Sequence, residues 1–229
     1  MLDANQLLDE AKKITGLRFL GNPLFEEGFN KLVYSINNEA DLNDIGIQAQ
    51  HHRLIGVLSN MLRIEEAVIN HPEILNEQIV APIVIVGLPR TGSTMTHRLL
   101  AADPRHTAML WWEGRYPAML PNEERGNPSE RMALGKAEVD AVVAASPEAL
   151  TIHPWDYKGA DEEILLLEHT FFSTVPESFM ILPSYSSWVE DQAPIPAYNQ
   201  LKIMLQYLHL AASWMRSKQM GLKHTPSSR

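Results

Sequence analysis

The segment Ile79-Val-Ala-Pro-Ile-Val-Ile-Val86 is a short, β-branched, nearly uninterrupted apolar run that ends at Gly87. A run of this length predicts a central parallel strand, covered on both faces. Beyond Gly87-Leu-Pro-Arg-Thr-Gly92 the spacing turns helical. Met95, Leu99 and Leu100 mark a helix from Ser93 to Ala102 that stops at Asp103-Pro104. Strand, glycine loop and helix in that order set the loop at the positive end of a helix dipole.

The rest of the chain reads as helical. In residues 1–78, Leu7, Leu8, Ala11 and Ile14 keep a 3,4 spacing, as do Leu54, Val57, Leu58, Met61 and Leu62. Between them, Gly21-Asn-Pro23 predicts a turn. Phe25, Phe29, Leu32, Val33 and Ile36 form the stripe of another amphipathic helix. Further helices are predicted at about 129–146, from Asp161 to Phe172, and from Tyr198 to Trp214. Neither an internal repeat nor a linker breaks the pattern. The expectation is one domain over 1–229, with a helical N-terminal segment to residue 78 and an α/β part over 79–229 that holds the anion loop and the acceptor-pocket helices.

Composition narrows the function. The 229 residues contain no cysteine, which excludes disulfides, thiolate metal sites and a cysteine nucleophile. The 19 basic against 28 acidic residues give a net charge of −9, with no basic run to bind nucleic acid. The N-terminus lacks the basic start and apolar core of a signal peptide, and no stretch is long and apolar enough to span a membrane. A cytoplasmic protein with no membrane partner is expected.

The loop from Gly87 to Thr94 has the parts of an anion cradle. Gly87 and Gly92 let the backbone pass close to an anion with its N–H groups pointing inward. Thr91, Ser93 and Thr94 supply hydroxyl donors, and Arg90 offers a fixed fork of donors. The pattern is close to the nucleoside-triphosphate P-loop, but Ser93 stands where that motif has its lysine. The residues alone leave three readings: a P-loop kinase or NTPase, a non-catalytic anion-binding module, and an enzyme that handles another phosphate-bearing donor.

Pro89-Arg-Thr-Gly-Ser-Thr94 resembles the 5′-phosphosulfate loop of sulfotransferases that use 3′-phosphoadenosine 5′-phosphosulfate (PAPS). The likeness is to the bacterial branch related to tyrosylprotein sulfotransferases. It extends through His71-Pro-Glu-Ile-Leu75, Leu99-Leu-Ala-Ala-Asp-Pro104, Trp112-Glu113, His153-Pro154 with Asp161-Glu-Glu163, and Trp188, in the same order. The resemblance implies PAPS as sulfuryl donor, no metal, and a hydroxyl or amine on a small molecule or peptide as acceptor. It gives Pro89, Arg90, Thr91, Gly92, Ser93 and Thr94 to the cofactor, with Arg90 also stabilising charge during transfer. The expected fold is α/β: a P-loop-like three-layer fold with a central parallel sheet, the C-terminal half missing. Family members grip the 3′-phosphate and adenine with a later half, and this chain ends at Arg229, where that half should begin. Its Leu222-Lys-His-Thr-Pro-Ser-Ser-Arg229 departs from the family's Leu-Lys-Thr-Pro-x-His-Leu, as a frameshift after Lys223 would produce.

An acceptor hydroxyl needs a base near the loop. Glu113 follows the loop helix and resembles the catalytic Glu of tyrosylprotein sulfotransferases; the alternative is an ion pair with Arg115. His97 and His106 read as surface or core side chains. His153 and the acids at 161–163 either shape the acceptor region or cap a helix. No histidines sit at metal-ligand spacing with an acid. Trp111, Trp112, Trp155, Phe171, Phe172 and Trp188 line either an acceptor pocket or the core. Neither the acceptor's identity nor the oligomeric state follows from the sequence.

Overall fold

The computed structural model describes residues 1–18, 23–88 and 91–219, with side chains to residue 212. Pro89, Arg90 and the C-terminal residues 220–229 lie outside the described residues. The helices are α1 (Ala4–Thr15), α2 (Pro23–Glu39), α3 (Asp44–Asn70), α4 (Ser93–Ala101), α5 (Trp111–Arg115), α6 (Ser129–Ala145), α7 (Ala149–Ile152), α8 (Ile164–Leu167), α9 (Pro183–Glu190) and α10 (Ile195–Gln219). Two compact units result: Met1–Leu75 with Ile164–Met204, and Asn76–Glu163 with the chain from Leu205 onward.

In the first unit, local signals set the helix ends. Asp3 caps α1 by accepting the Gln6 N–H at 2.9 Å. Gly16, at φ +72°, closes that helix after Lys12 and Lys13, which suit its negative end. Asn43 caps α3 through the Gly46 N–H. All five stripe residues of α2 are buried, as are Leu54, Val57, Leu58, Met61 and Leu62 of α3. Phe171 and Phe172 follow α8 and close this core: Phe29 meets Phe171 at 4.9 Å, and Phe172 meets Trp188 edge-on at 5.0 Å.

Several buried polar groups in this unit are paired, whereas Ser59 Oγ and Arg63 Nε have no hydrogen-bond partner among the described residues. Arg53 grips Glu168 with two hydrogen bonds of 2.5 and 2.7 Å, and its guanidinium lies 5.0 Å from the Phe179 ring. His169 Nδ1 lies 3.0 Å from the Leu165 carbonyl, while Asn60 Nδ2 lies 3.1 Å from Nε2. The neutral tautomer with its proton on Nδ1 satisfies both. The Tyr185 hydroxyl donates to the Phe171 carbonyl at 2.9 Å, and burial pushes its pKa up.

The second unit overturns the expected three-layer fold. Among the described residues there is no strand and no sheet; the one β pairing is an isolated antiparallel bridge between Leu110 and Ala160. The apolar run at 79–86 forms no strand and no β pairing. Val80, Ile83, Val84 and Val86 are 60–89% exposed. The physical reason is twofold. Ala81 sits at φ +46°, outside the strand region, and is followed by Pro82, which has no N–H to give a ladder. A parallel strand also exists only against a neighbouring strand, and no described segment supplies one.

What organises this unit is packing between α5 and α6. Gly135 lets α6 approach α5 closely, since a Cβ there would lie 2.8 Å from the Trp112 Cβ. The buried Arg131 side chain donates to Glu123 at 2.8–3.0 Å and to the carbonyls of Tyr116 and Pro117 at 3.0 Å. Its guanidinium lies 5.0 Å from the Trp112 ring. No helix among the described residues is long and apolar enough to cross a membrane.

Candidate active site

The loop enters α4 through Gly92, whose φ of +88° is a left-handed conformation that suits glycine. Thr91 Oγ1 donates to the Leu88 carbonyl at 2.7 Å, which braces the turn. Gly87 leaves room for that hydroxyl, because a Cβ there would lie 3.0 Å from it. Thr91 is thus committed to the loop's own backbone. The first turn of α4 has neither a side-chain cap nor an acidic residue. Its N–H groups therefore keep their positive end for an incoming anion.

Gly92, Ser93 and Thr94 form one end of an open trough of about 790 Å3. One wall continues along α4 through Met95, Arg98, Leu99 and Ala102; the other is the stretch from Leu150 to Ile152, with Pro154. Arg98 Nη2 donates to the Pro154 carbonyl at 2.7 Å and so ties the two walls together. Its Nε is buried and makes no hydrogen bond among the described residues.

Glu113 does not line this trough. Its Oε2 accepts the Leu110 N–H at 2.8 Å across the first turn of α5, and the second oxygen has no hydrogen-bond partner among the described residues. Burial raises its pKa, against the lowering effects of the Leu110 N–H and the Arg131 charge. The alternative pairing with Arg115 is not formed. Arg115 Nε instead donates to Glu138 at 2.9 and 3.1 Å.

The bridge at Leu110 and Ala160 carries Glu113 and Asp161 on adjoining segments, with the Asp161 N–H donating to Met109 at 3.0 Å and the Trp111 N–H to Gly159 at 2.9 Å. Asp161 holds His153 Nε2 at 3.0 Å, and its other oxygen accepts the Glu162 N–H. Sequence reasoning named both residues and missed the pair, because eight positions of irregular chain separate them. It also missed Arg98. The signal was present, since Thr94, Arg98 and Ala102 follow at i, i+4 and i+8 on one helix face.

None of the aromatic candidates lines the trough. Trp111 and Trp112 are buried beside α6, and Trp155 packs edge-on to Trp111 and His153. Phe171, Phe172 and Trp188 belong to the core of the first unit. Among the described residues no group of three His, Asp or Glu side chains is placed to hold a metal ion.

Comparison with known proteins adds three findings. A family model described as the sulfotransferase family matches residues 82–213. The crystal structure of sulfotransferase STF1 from Mycobacterium tuberculosis superposes with a TM-score of 0.76 at 28% identity, over 91% of this chain and 58% of that one. Sulfotransferase STF9 from Mycobacterium avium gives a TM-score of 0.77 at 24% identity, over 92% of this chain and 55% of that one. This chain therefore spans a little over half the length of either solved structure. No curated protein matches it.

Proposed function

The chain belongs to the sulfotransferase family, and we propose that its loop from Pro89 to Thr94 holds the 5′-phosphosulfate of PAPS for transfer to an acceptor hydroxyl or amine. The observation that carries this reading is the uncapped, acid-free start of α4, which opens into the trough at Gly92, Ser93 and Thr94. Those N–H groups and hydroxyls suit the doubly charged phosphosulfate anhydride. Ser93 in the lysine position of the triphosphate loop speaks against a kinase or NTPase.

PAPS, when bound, supplies the sulfuryl group. The residues of this chain orient and neutralise it: the Ser93 and Thr94 N–H groups and hydroxyls donate to phosphosulfate oxygens, and Arg90 offers a bidentate contact where charge builds up during transfer. Glu113 is the proposed base. Its raised pKa suits a base, and because it does not line the trough it would take the proton of an acceptor hydroxyl through a bridging water. The trough serves as acceptor site, for a small molecule or the side chain of a peptide. This reading assigns residues to the phosphosulfate end alone.

Calorimetry with adenosine 3′,5′-bisphosphate and with ATP plus Mg2+ tests the reading. We expect the bisphosphate to bind and Arg90→Ala to weaken it by tenfold or more, with an unchanged circular dichroism spectrum. Tight binding of Mg-ATP, or an Arg90→Ala chain that binds the bisphosphate as well as wild type, would overturn it.

A further inference from the structure

The trough has more to say about the acceptor than the loop does. Past Thr94 its apolar lining is Met95, Leu99, Ala102, Leu150, Ile152 and Pro154, from α4, α7 and the residues that follow each, with Arg98 and Thr151 as the polar members. Met95, Leu99 and Ile152 are 71–78% exposed, so they form a contiguous apolar surface in place of a filled core. Apolar surface that is contiguous and adjoins polar groups marks a binding site, whereas scattered exposed apolar residues do not. A volume of about 790 Å3 falls within the roughly 300–1,000 Å3 of small-molecule sites.

We propose that this trough binds an aliphatic alcohol without a cationic group as the sulfuryl acceptor, its hydroxyl at the Gly92–Thr94 end and its chain along Met95, Leu99 and Ile152. The proposal rests on the reading of that end as the phosphosulfate site.

Two features select this class. Among the described residues no carboxylate lines the trough, and the charged residue that does, Arg98, is a cation; an ammonium acceptor therefore gains no partner there and meets like charge. Among the described residues no aromatic ring lines it either, because the aromatic side chains nearby in sequence are used in packing. A flat phenolic or indolic acceptor finds no face to stack on. The Arg98 guanidinium is turned to the Pro154 carbonyl and lies against Gly159, whose added Cβ would come within 2.8 Å of Nη2. One amino group of the guanidinium is thereby committed to the protein backbone, while its Nε makes no hydrogen bond among the described residues. In the transfer the alcohol oxygen forms an O–S bond as the phosphate O–S bond breaks. The electron pair leaves with the phosphate, and the hydroxyl proton goes to the base.

Calorimetry on the unmodified chain without nucleotide, using 1-hexanol, 1-octanol and 1-decanol and the matching n-alkylammonium ions, tests this. Affinity should rise about fourfold per added methylene, the equivalent of about 0.8 kcal/mol each, and each ammonium ion should bind at least tenfold more weakly than its alcohol. Leu99→Asp and Ile152→Asp should each weaken decanol at least tenfold with a native circular dichroism spectrum, as both positions are exposed. Affinity independent of chain length, equal binding of the ammonium ions, or Asp variants that bind decanol like wild type would overturn the proposal. So would light scattering that shows a dimer which either Asp variant converts to monomer, since a second copy would then cover the trough. If the alcohols behave as expected and adenosine 3′,5′-bisphosphate does not bind, the phosphosulfate reading falls and the alcohol site stands.

Discussion

Helices α3 and α4 show the same apolar periodicity and meet opposite fates. α3 buries eight residues against its neighbours, among them Leu58 and Leu62, each 1% exposed. α4 buries none; Met95 and Leu99 are among its most exposed side chains. Periodicity identifies which face of a helix is apolar, and it is silent on what covers that face. In α3 the cover is protein, and the helix contributes stability. In α4 the apolar face borders the trough, and the helix contributes a positively ended wall.

The largest effect should come from the paired side of this contrast. Glu168→Ala takes from the half-buried Arg53 its bidentate partner, and breaking a buried pair by removing one member costs about 3–5 kcal/mol. Urea unfolding should show that loss. The double change Arg53→Met with Glu168→Leu should cost much less, because no charge is then stranded. A loss below about 1 kcal/mol for Glu168→Ala would mean that the pair is solvated like a surface one, and the contrast with α4 would lose its polar half.

The same deletion made in both helices gives the next largest effect. Leu58→Ala leaves a cavity in a closed core and should cost about 2–5 kcal/mol. Leu99→Ala removes the same atoms from an exposed site and should stay within about 0.5 kcal/mol. Paired denaturation curves decide it. Equal costs would show that the α4 face is covered in solution.

These cases also mark where the sequence was legible. The stripe from Phe25 to Ile36 could be read because a helix satisfies its own backbone, so 3.6-residue spacing suffices to predict both the element and its inward face. The run at 79–86 has equally strong β-branched character, but a strand takes its identity from a partner elsewhere in the chain. The positive φ of Ala81 breaks it as well, and no spacing rule signals that. The place of Gly92, Ser93 and Thr94 at the start of α4 was legible because loop and helix are contiguous. Arg90 was named in the same motif and lies outside the described residues. The position of Glu113 away from the trough, and the pairing of His153 with Asp161, depend on the bridge at Leu110 and Ala160. A single two-residue pairing leaves no periodic trace.

The smallest effect concerns Glu113, a charged group kept in a mostly buried place. Its folded-state pKa is raised by burial above its ordinary value near 4.5. The folded chain thus holds that proton more tightly than the unfolded chain does. The resulting stability is fully present below the unfolded pKa and is lost as pH rises through the raised folded value. Glu113→Gln keeps an oxygen for the Leu110 N–H and never ionises, so it escapes this loss. Unfolding free energies of the two proteins should coincide at a pH below the ordinary carboxylate range, and the Gln variant should become the more stable as pH climbs toward neutrality. If the wild type instead gained on the variant as pH rose, attraction to Arg131 would outweigh burial. Glu113 would then be a structural anion, and the case for it as the base would be lost along with its raised pKa.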